Sequence, residues 1–441
     1  MDIENFAAEL LEKSKKKGAD AADILIGNSD DISVSIRNGK LEEIERSENS
    51  GFGLRIFIGN QSAIISSSKF EDVEELTERA ISMAKETPAD EFSALAPNEF
   101  LATKFADLDL LDENEPSAEI LIDTAKTAES IAAAHKGITN SEGASASFAT
   151  YSTLLATSNG FLRTNRSSYC GSSVSVIAGK DQEMQTDYGY SAARHFADLI
   201  SPEKIGNEAA TRALQKMNPR KANTGKYPII FEPRIAKGLI GDLAAGINGA
   251  SIARGTSFLK NKMDEQIFPA GVNIIDNPHM PRGLASKPYD GEGVANQQRL
   301  IIENGVLKTW LLDMRSANKL GLKTTGHASR SAGAPPSPSG TNMYMEAGNI
   351  SPQELIRNIK SGFFVTDTFG MGINYTTGDY SQGASGLWIE NGEIAYPVSE
   401  VTLAGNLLDI FANITPANDL EFKYSTNSPT LLIEGITLAG T

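Results

Sequence analysis

A single cysteine and only four histidines stand in this chain of 441 residues. Cys170 alone cannot close an intramolecular disulfide, so a cytoplasmic location is the default expectation. His135, His195, His279 and His327 lie too far apart in sequence for any two to share a helical face, which removes the commonest helical zinc signature. Positive charge is scarce as well. The 40 Lys and Arg against 56 Asp and Glu leave a net charge of −16, which disfavours attraction to a phosphate backbone. No basic cluster interleaved with aromatics offsets that balance, so no nucleic-acid partner is expected. The densest basic run, residues 13–17, ends an amphipathic helix, where cations suit the macrodipole. Long apolar runs are missing too. Nothing approaches the roughly 20 apolar residues that cross a bilayer, and no membrane partner is expected. Residues 1–17 place Ile3, Phe6, Ala7, Leu10 and Leu11 on one face with acids among them, the pattern of a domain helix rather than a signal peptide.

What the chain does have is glycine, 39 residues of it, and a hydrophobic fraction of 40%, enough for a core in each of two domains. Residues 23–67 read as an antiparallel meander: Ile32 to Ile36 alternates apolar and serine, and Asn38-Gly39 supplies a type I′ hairpin turn. Ser68 and Glu71 form a capping-box pattern before a helix with Phe70, Val73, Leu76, Ala80 and Ala84 inward. A second helix is expected over 116–135, short strands with a hairpin at Asn159-Gly160 over 144–194, and a helix from Ser201-Pro202 to about Met217. Residues 218–225 break every periodicity and divide an N-terminal domain, 1–218, from a C-terminal domain, 225–441. Beyond them come a strand over 227–231, a glycine-spaced helix over 233–250 and further strands with hairpins at Asn304-Gly305 and Asn391-Gly392. A short helix over 352–361 has the box Ser351 and Glu354 before it and Gly362 after it. Helices segregated from antiparallel strands indicate an α+β fold.

Glycine-punctuated motifs crowd the C-terminal third. Ser286-Lys-Pro-Tyr-Asp-Gly-Glu-Gly-Val294 is followed by Ile302-Glu-Asn-Gly-Val-Leu-Lys308, Thr324-Thr-Gly-His-Ala-Ser-Arg330 and Thr341-Asn-Met-Tyr344, and the long run Thr377 to Val398 ends the series. In order and spacing these motifs resemble the TldD/PmbA family, also called the modulator of DNA gyrase family, and its PmbA (TldE) branch in particular. The resemblance covers residues 220–441 strongly and the N-terminal half more loosely. It implies an N-terminal sheet-and-helix domain followed by a strongly curved, barrel-like antiparallel β domain.

Catalytic members of the resembled family carry His-Glu-x-x-x-His on the first helix of the C-terminal domain, two imidazoles on one face to hold zinc with a carboxylate as base. Aligned on Arg254-Gly-Thr-Ser257, this chain has Ile240, Gly241 and Ala245 at those positions and Asn248 at a following acidic one, and residues 421–429 lack the cysteine that branch supplies. No catalytic or metal residue, and no cofactor, is therefore expected here, with zinc expected in a catalytic partner. Other enzyme signatures fail on spacing. Gly370-Met-Gly372 lacks the third glycine of a dinucleotide fingerprint, and Gly383 to Leu387 lacks the last glycine of a nucleophile elbow.

The candidate cleft or interface residues are Gly241, Gly246, Asp290, Glu292, His327, Arg330, Asn342 and Asp379. Asp290 and Glu292 read first as solvation of a glycine-rich turn, with an acid–base pair as the functional alternative. His327 has the best claim among the histidines to a role in a cleft. Gly238, Gly241, Gly246 and Gly249 each cost ~1 kcal/mol inside a helix relative to alanine. Such a surface suits packing on the chain's own sheet, or the approach of a partner subunit or extended peptide. The loop 325–348, with Arg330, Asn342 and Tyr344, reads as a lid or interface loop. The family resemblance implies a PmbA/TldE-like subunit paired with a TldD-like paralogue and acting on unfolded or modified peptides. A homomeric peptide-binding or scaffold protein is the alternative, and a hydrolase with an unrecognised site is a third reading.

Overall fold

The computed structural model describes residues 2–370 and 372–440, and among these two large sheets form, of six and nine strands. The N-terminal part contains α1 (Ile3–Lys16), β1 (Ala21–Arg37), β2 (Lys40–Ile58), β3 (Gln61–Ser67) and α2 (Val73–Glu86). After them come α3 (Ala118–Ala133), β4 (Ile138–Thr157), β5 (Leu162–Ala178), β6 (Gln185–Ala193) and α4 (Pro202–Gln215). The strands lie in the order β3-β2-β1-β4-β5-β6, every pair antiparallel. Asn38 and Gly39 both have positive φ, 51° and 74°, as the turn between β1 and β2 requires.

Strand periodicity decides which face the helices cover. Ile24, Ile26, Val34 and Ile36 of β1 all point to one side, where α1 and α2 seal one end and α3 and α4 the other. Asp23 and Leu25 point to the opposite side, which receives loops from the C-terminal half. Two expectations fail here. Residues 144–194 form strands of 20, 17 and 9 residues rather than short ones, because serine and threonine alternate with buried residues through whole β4 and β5. No capping box opens α2: Asp72, at φ 51°, precedes it without a side-chain cap, and the Ser67 hydroxyl accepts from the Lys69 N–H instead.

The nine-stranded sheet curls into a half-barrel centred on Ser361–Phe369, Asp379–Glu390 and Glu393–Asn406. Bulges beside Val365, Ala384 and Trp388 add the local twist that curling needs. The sheet is not wholly antiparallel. Ile229–Phe231 lies parallel to Phe363–Val365, since the chain between them makes a long crossover rather than a hairpin. The crossover begins with α5 (Pro233–Gly246), whose Ala236, Leu239, Ile240 and Leu243 enter the C-terminal core. The helix expected over 233–250 is in fact two. Ile247 caps the end of α5, and Asn248 accepts the N–H groups of Ala250 and Ser251 to start α6 (Gly249–Arg254). Further on are α7 (Met314–Leu320) and α8 (Pro352–Arg357). The reciprocal box of Ser351 and Glu354 opens α8, but Gly362 belongs to the next strand, where the Pro228 carbonyl leaves no room for a Cβ. Among the described residues no helix is long and apolar enough to cross a membrane.

Candidate functional site

Asp23 and Arg55 are cross-strand partners on β1 and β2, on the sheet face away from the N-terminal helices. Arg55 Nε donates to Asp23 Oδ2 at 3.0 Å, and both side chains are buried. Two C-terminal segments close over this pair. One is the turn 287–294, and the other is the strand-like segment at Ala328–Ser329 that continues into Arg330. Asp290 Oδ1 accepts the N–H groups of Glu292 (2.8 Å) and Val294 (2.9 Å), and its Oδ2 accepts that of Ala328 (3.1 Å). Glu292 Oε2 accepts the Met314 N–H at the start of α7 (2.8 Å), and its Oε1 lies 3.8 Å from Arg55 Nη2. Arg330 Nη1 stands 2.6 Å from Asp23 Oδ1. Lys287 Nζ donates to the Ala328 carbonyl at 3.0 Å. Tyr289 packs its ring edge-on to Phe161 and Phe105, sealing the side of the cluster.

These contacts overturn the expectation that Asp290 and Glu292 solvate a turn. Their residues are 1% and 5% exposed, and they tie the turn to α7 and to the N-terminal sheet. Burial, with Asp290 close by, pushes Glu292 up to about 8, which favours its protonated form. Burial also raises Asp290, yet its three N–H donors favour the charged form, and the shared proton belongs on Glu292. Desolvation lowers Lys287 and Arg330, while Asp23 is held below its usual range because the charges of Arg330 and Arg55 outweigh burial.

The remaining candidates lie elsewhere. His327 is buried; its Nε2 is 3.1 Å from Asp276 Oδ2 and its Nδ1 is 2.8 Å from the Thr325 hydroxyl, while Thr341 also donates to Asp276. That makes it a braced structural histidine beneath the loop, not a cleft residue. Asn342 is equally occupied, donating to the Asn277 carbonyl and to Ser286 and accepting from the Ala285 N–H. The loop 325–348 is no free lid: Ala328–Ser329 pairs with Ser337–Pro338, and the Ala332 carbonyl presses on Gly53 of β2. Asp379 is exposed, accepts from the Thr377 hydroxyl and lies outside the buried cluster.

The helix glycines divide. A Cβ at Gly246 would collide with Phe258 and Leu259, and one at Gly249 with the Leu311 carbonyl, whereas at Gly238 and Gly241 it would meet nothing. On the same helix Ile240 is buried in the core and Ala245 half-buried. Neither they nor Gly241 offers a side-chain nitrogen, oxygen or sulfur. The adjacent Asp242 accepts from the Tyr375 hydroxyl at 2.9 Å, and burial raises it to about 6. Among the described residues no group of three His, Cys, Asp or Glu side chains is arranged to hold a metal ion.

Sequence models of the PmbA/TldA metallopeptidase domain 1, central domain and C-terminal domain match residues 22–84, 111–217 and 224–440. The chain belongs to the PmbA/TldD family. Metalloprotease PmbA of Escherichia coli O157:H7 is 37% identical over 99% of this chain and 96% of its own, and the PmbA homolog of Haemophilus influenzae is 35% identical over 99% and 95%. The crystal structure of a putative modulator of DNA gyrase from Bacteroides thetaiotaomicron superposes with a TM-score of 0.92 at 26% identity, covering both chains completely. TldE from Thermococcus kodakarensis, 21% identical, shares the fold with a TM-score of 0.87 over 99% of this chain and 100% of that one. Within this PmbA/TldD architecture, the first two matched segments supply β1–β3 and β4–β6 to one continuous sheet. The buried cluster joins that sheet to the third segment.

Sequence reasoning passed over Asp23, Arg55 and Lys287. A signal existed for the first two, each a charge inside an otherwise apolar strand segment, Ala21 to Ile26 and Leu54 to Ile58.

Proposed function

We propose that this chain is the metal-free subunit of a PmbA/TldD-type metallopeptidase complex, in which a zinc-bearing paralogue does the hydrolysis. The observation that carries this reading is α5, where Ile240, Gly241 and Ala245 stand at the positions resembling the catalytic branch's zinc motif and do not fit a zinc ion. Hydrolysis then takes place on the paralogue and not on α5 of this chain. Its contribution would be structural: closing a chamber in the cytoplasm and offering backbone to an unfolded or modified peptide. Residues 40–51 of β2 support that role, since they pair with β1 alone, whereas β3 begins opposite Phe52. The open edge suits strand addition.

Two measurements test the proposal. The purified chain, dialysed without chelator, is expected to carry no stoichiometric zinc and to leave casein intact, whereas mixing it with its paralogue gives cleavage. About one zinc held per chain, or chelator-resistant peptidase activity in the chain alone, would overturn it. A chain that sediments as a stable homodimer and ignores the paralogue would establish the homomeric binding role instead.

A further inference from the structure

The free edge of β2 has a direction and a charge. Ile58 and Gln61 close the two-residue turn to β3, so the even-numbered residues of β2 bond that neighbour. From the other side, the Asp20 N–H reaches the carbonyl of odd-numbered Phe57. The β1–β2 register runs unbroken from Phe57 back to Glu43, and the parity holds along it. Ile44, Arg46, Glu48 and Ser50 therefore turn their N–H and C=O groups away from β1, toward a position that no strand fills among the described residues. Proteins usually blunt such an edge with proline, a bulge, a short strand or a covering loop. Residues 43–50 have neither proline nor bulge, and all but Ser47 are exposed.

Charge is the device that remains. Glu42, Glu43, Glu45 and Glu48 make no ion pair among the described residues, whereas Arg46 is spent on Asp30 and Glu115. Pleating sorts the side chains by face. Glu43 and Glu45 stand beside Ser35 and Ser33 on one face; Leu41 and Ile44, beside Ile36 and Val34, stand on the other and are 44% and 48% exposed. Two copies of this edge set against each other would bring glutamates together, which like-charge repulsion opposes. A basic strand meets the opposite condition.

We propose that the free edge of β2 docks an extended peptide in which lysine or arginine alternates with apolar residues. The basic side chains would face Glu43 and Glu45, and the apolar ones Leu41 and Ile44. Backbone bonds to Ile44, Arg46 and Glu48 hold the segment, and the two faces select it. The occupant is an unfolded peptide rather than a second copy of this chain. This inference rests on the reading of the edge as a place for strand addition and supplies the chemistry of what is added.

Fluorescence anisotropy of the full chain with three labelled, end-blocked heptapeptides tests it: Thr-Lys-Val-Lys-Val-Lys-Thr and its counterparts with glutamine or glutamate for lysine. The lysine peptide is expected to bind saturably, at least about tenfold tighter than the glutamate peptide, with the glutamine peptide between them. That spread is expected to shrink several-fold from about 0.02 to 0.5 M salt, because exposed charges are screened. Glu48→Pro removes an outward N–H at an edge position that tolerates proline, and is expected to weaken the lysine and glutamine peptides about tenfold or more. Glu43→Gln combined with Glu45→Gln should erase the preference for lysine while the glutamine peptide binds as before. Circular dichroism and melting verify both variants, and the exposed glutamine pair decides charge selection even if the proline variant fails to fold. Three peptides that bind alike, and are all lost in folded Glu48→Pro, overturn the basic selectivity and leave strand addition standing. No binding of any peptide, or binding that folded Glu48→Pro leaves intact, overturns strand addition at this edge too, while the subunit role is judged separately by zinc and casein. Displacement of the lysine peptide by one equivalent of the paralogue would make the edge a subunit contact and overturn the peptide assignment.

Discussion

Gly53 and Ala332 meet backbone to backbone: a Cβ on residue 53 of β2 would land on the Ala332 carbonyl. The contact presses the loop after Arg330 flat on the N-terminal sheet, so two halves far apart in sequence share one buried surface. Gly53→Ala is therefore expected to destabilise the fold by about 1–3 kcal/mol, the usual cost of forced overpacking. Gly27→Ala, on neighbouring β1 with nothing near its would-be Cβ, is the control and is expected to change little. Urea denaturation of both variants checks this. Equal midpoints would show that the loop yields to the methyl without loss.

The glycines of α5 make a sharper pair. Gly246→Leu drives a side chain into Phe258 and Leu259 and is expected to unfold the C-terminal core or lower its melting temperature markedly. Gly241→Leu enters open space and should fold normally, with a small gain in helix propensity. If the outer face of α5 meets the paralogue, Gly241→Leu abolishes association in analytical ultracentrifugation while its melting is unchanged. Normal assembly of that variant would place the subunit interface elsewhere.

How much of this was legible in the sequence depends on the length of the relationships. The Asn-Gly hairpins, the helix over 202–215 and the Ser351–Glu354 box follow from residues a few positions apart, and the structure has them. The motif order across residues 286–398 identified the family and the curled C-terminal sheet. The buried cluster was hidden for a physical reason. An unbroken hairpin about Asn38-Gly39 would set Asp23 opposite Leu54, but a bulge at Ser35–Ile36 shifts the register by one and brings Arg55 there instead. No local pattern announces that shift. Asp290 and Glu292 deceived in the opposite direction, since a glycine-rich acidic turn looks solvated until a distant sheet covers it.

Glu292 gives the cluster a pH signature. Its carboxyl is raised from an ordinary 4.5 to about 8 by burial and by Asp290, so the folded state prefers the protonated form. A raised folded-state value means that the stabilisation is complete below about 4.5 and declines as pH climbs toward 8, because ionising the buried group costs more folded than unfolded. Asp242, raised to about 6 by burial, acts with the same sign over a lower window. Glu292→Gln removes one titration while retaining an oxygen that can accept the Met314 N–H. Stability measured by urea denaturation between pH 5 and 8 is therefore expected to fall less steeply in Glu292→Gln than in the parent, and Asp242→Asn should flatten only the portion below about pH 6. Parallel slopes for parent and Glu292→Gln would mean that Glu292 is ionised throughout that range.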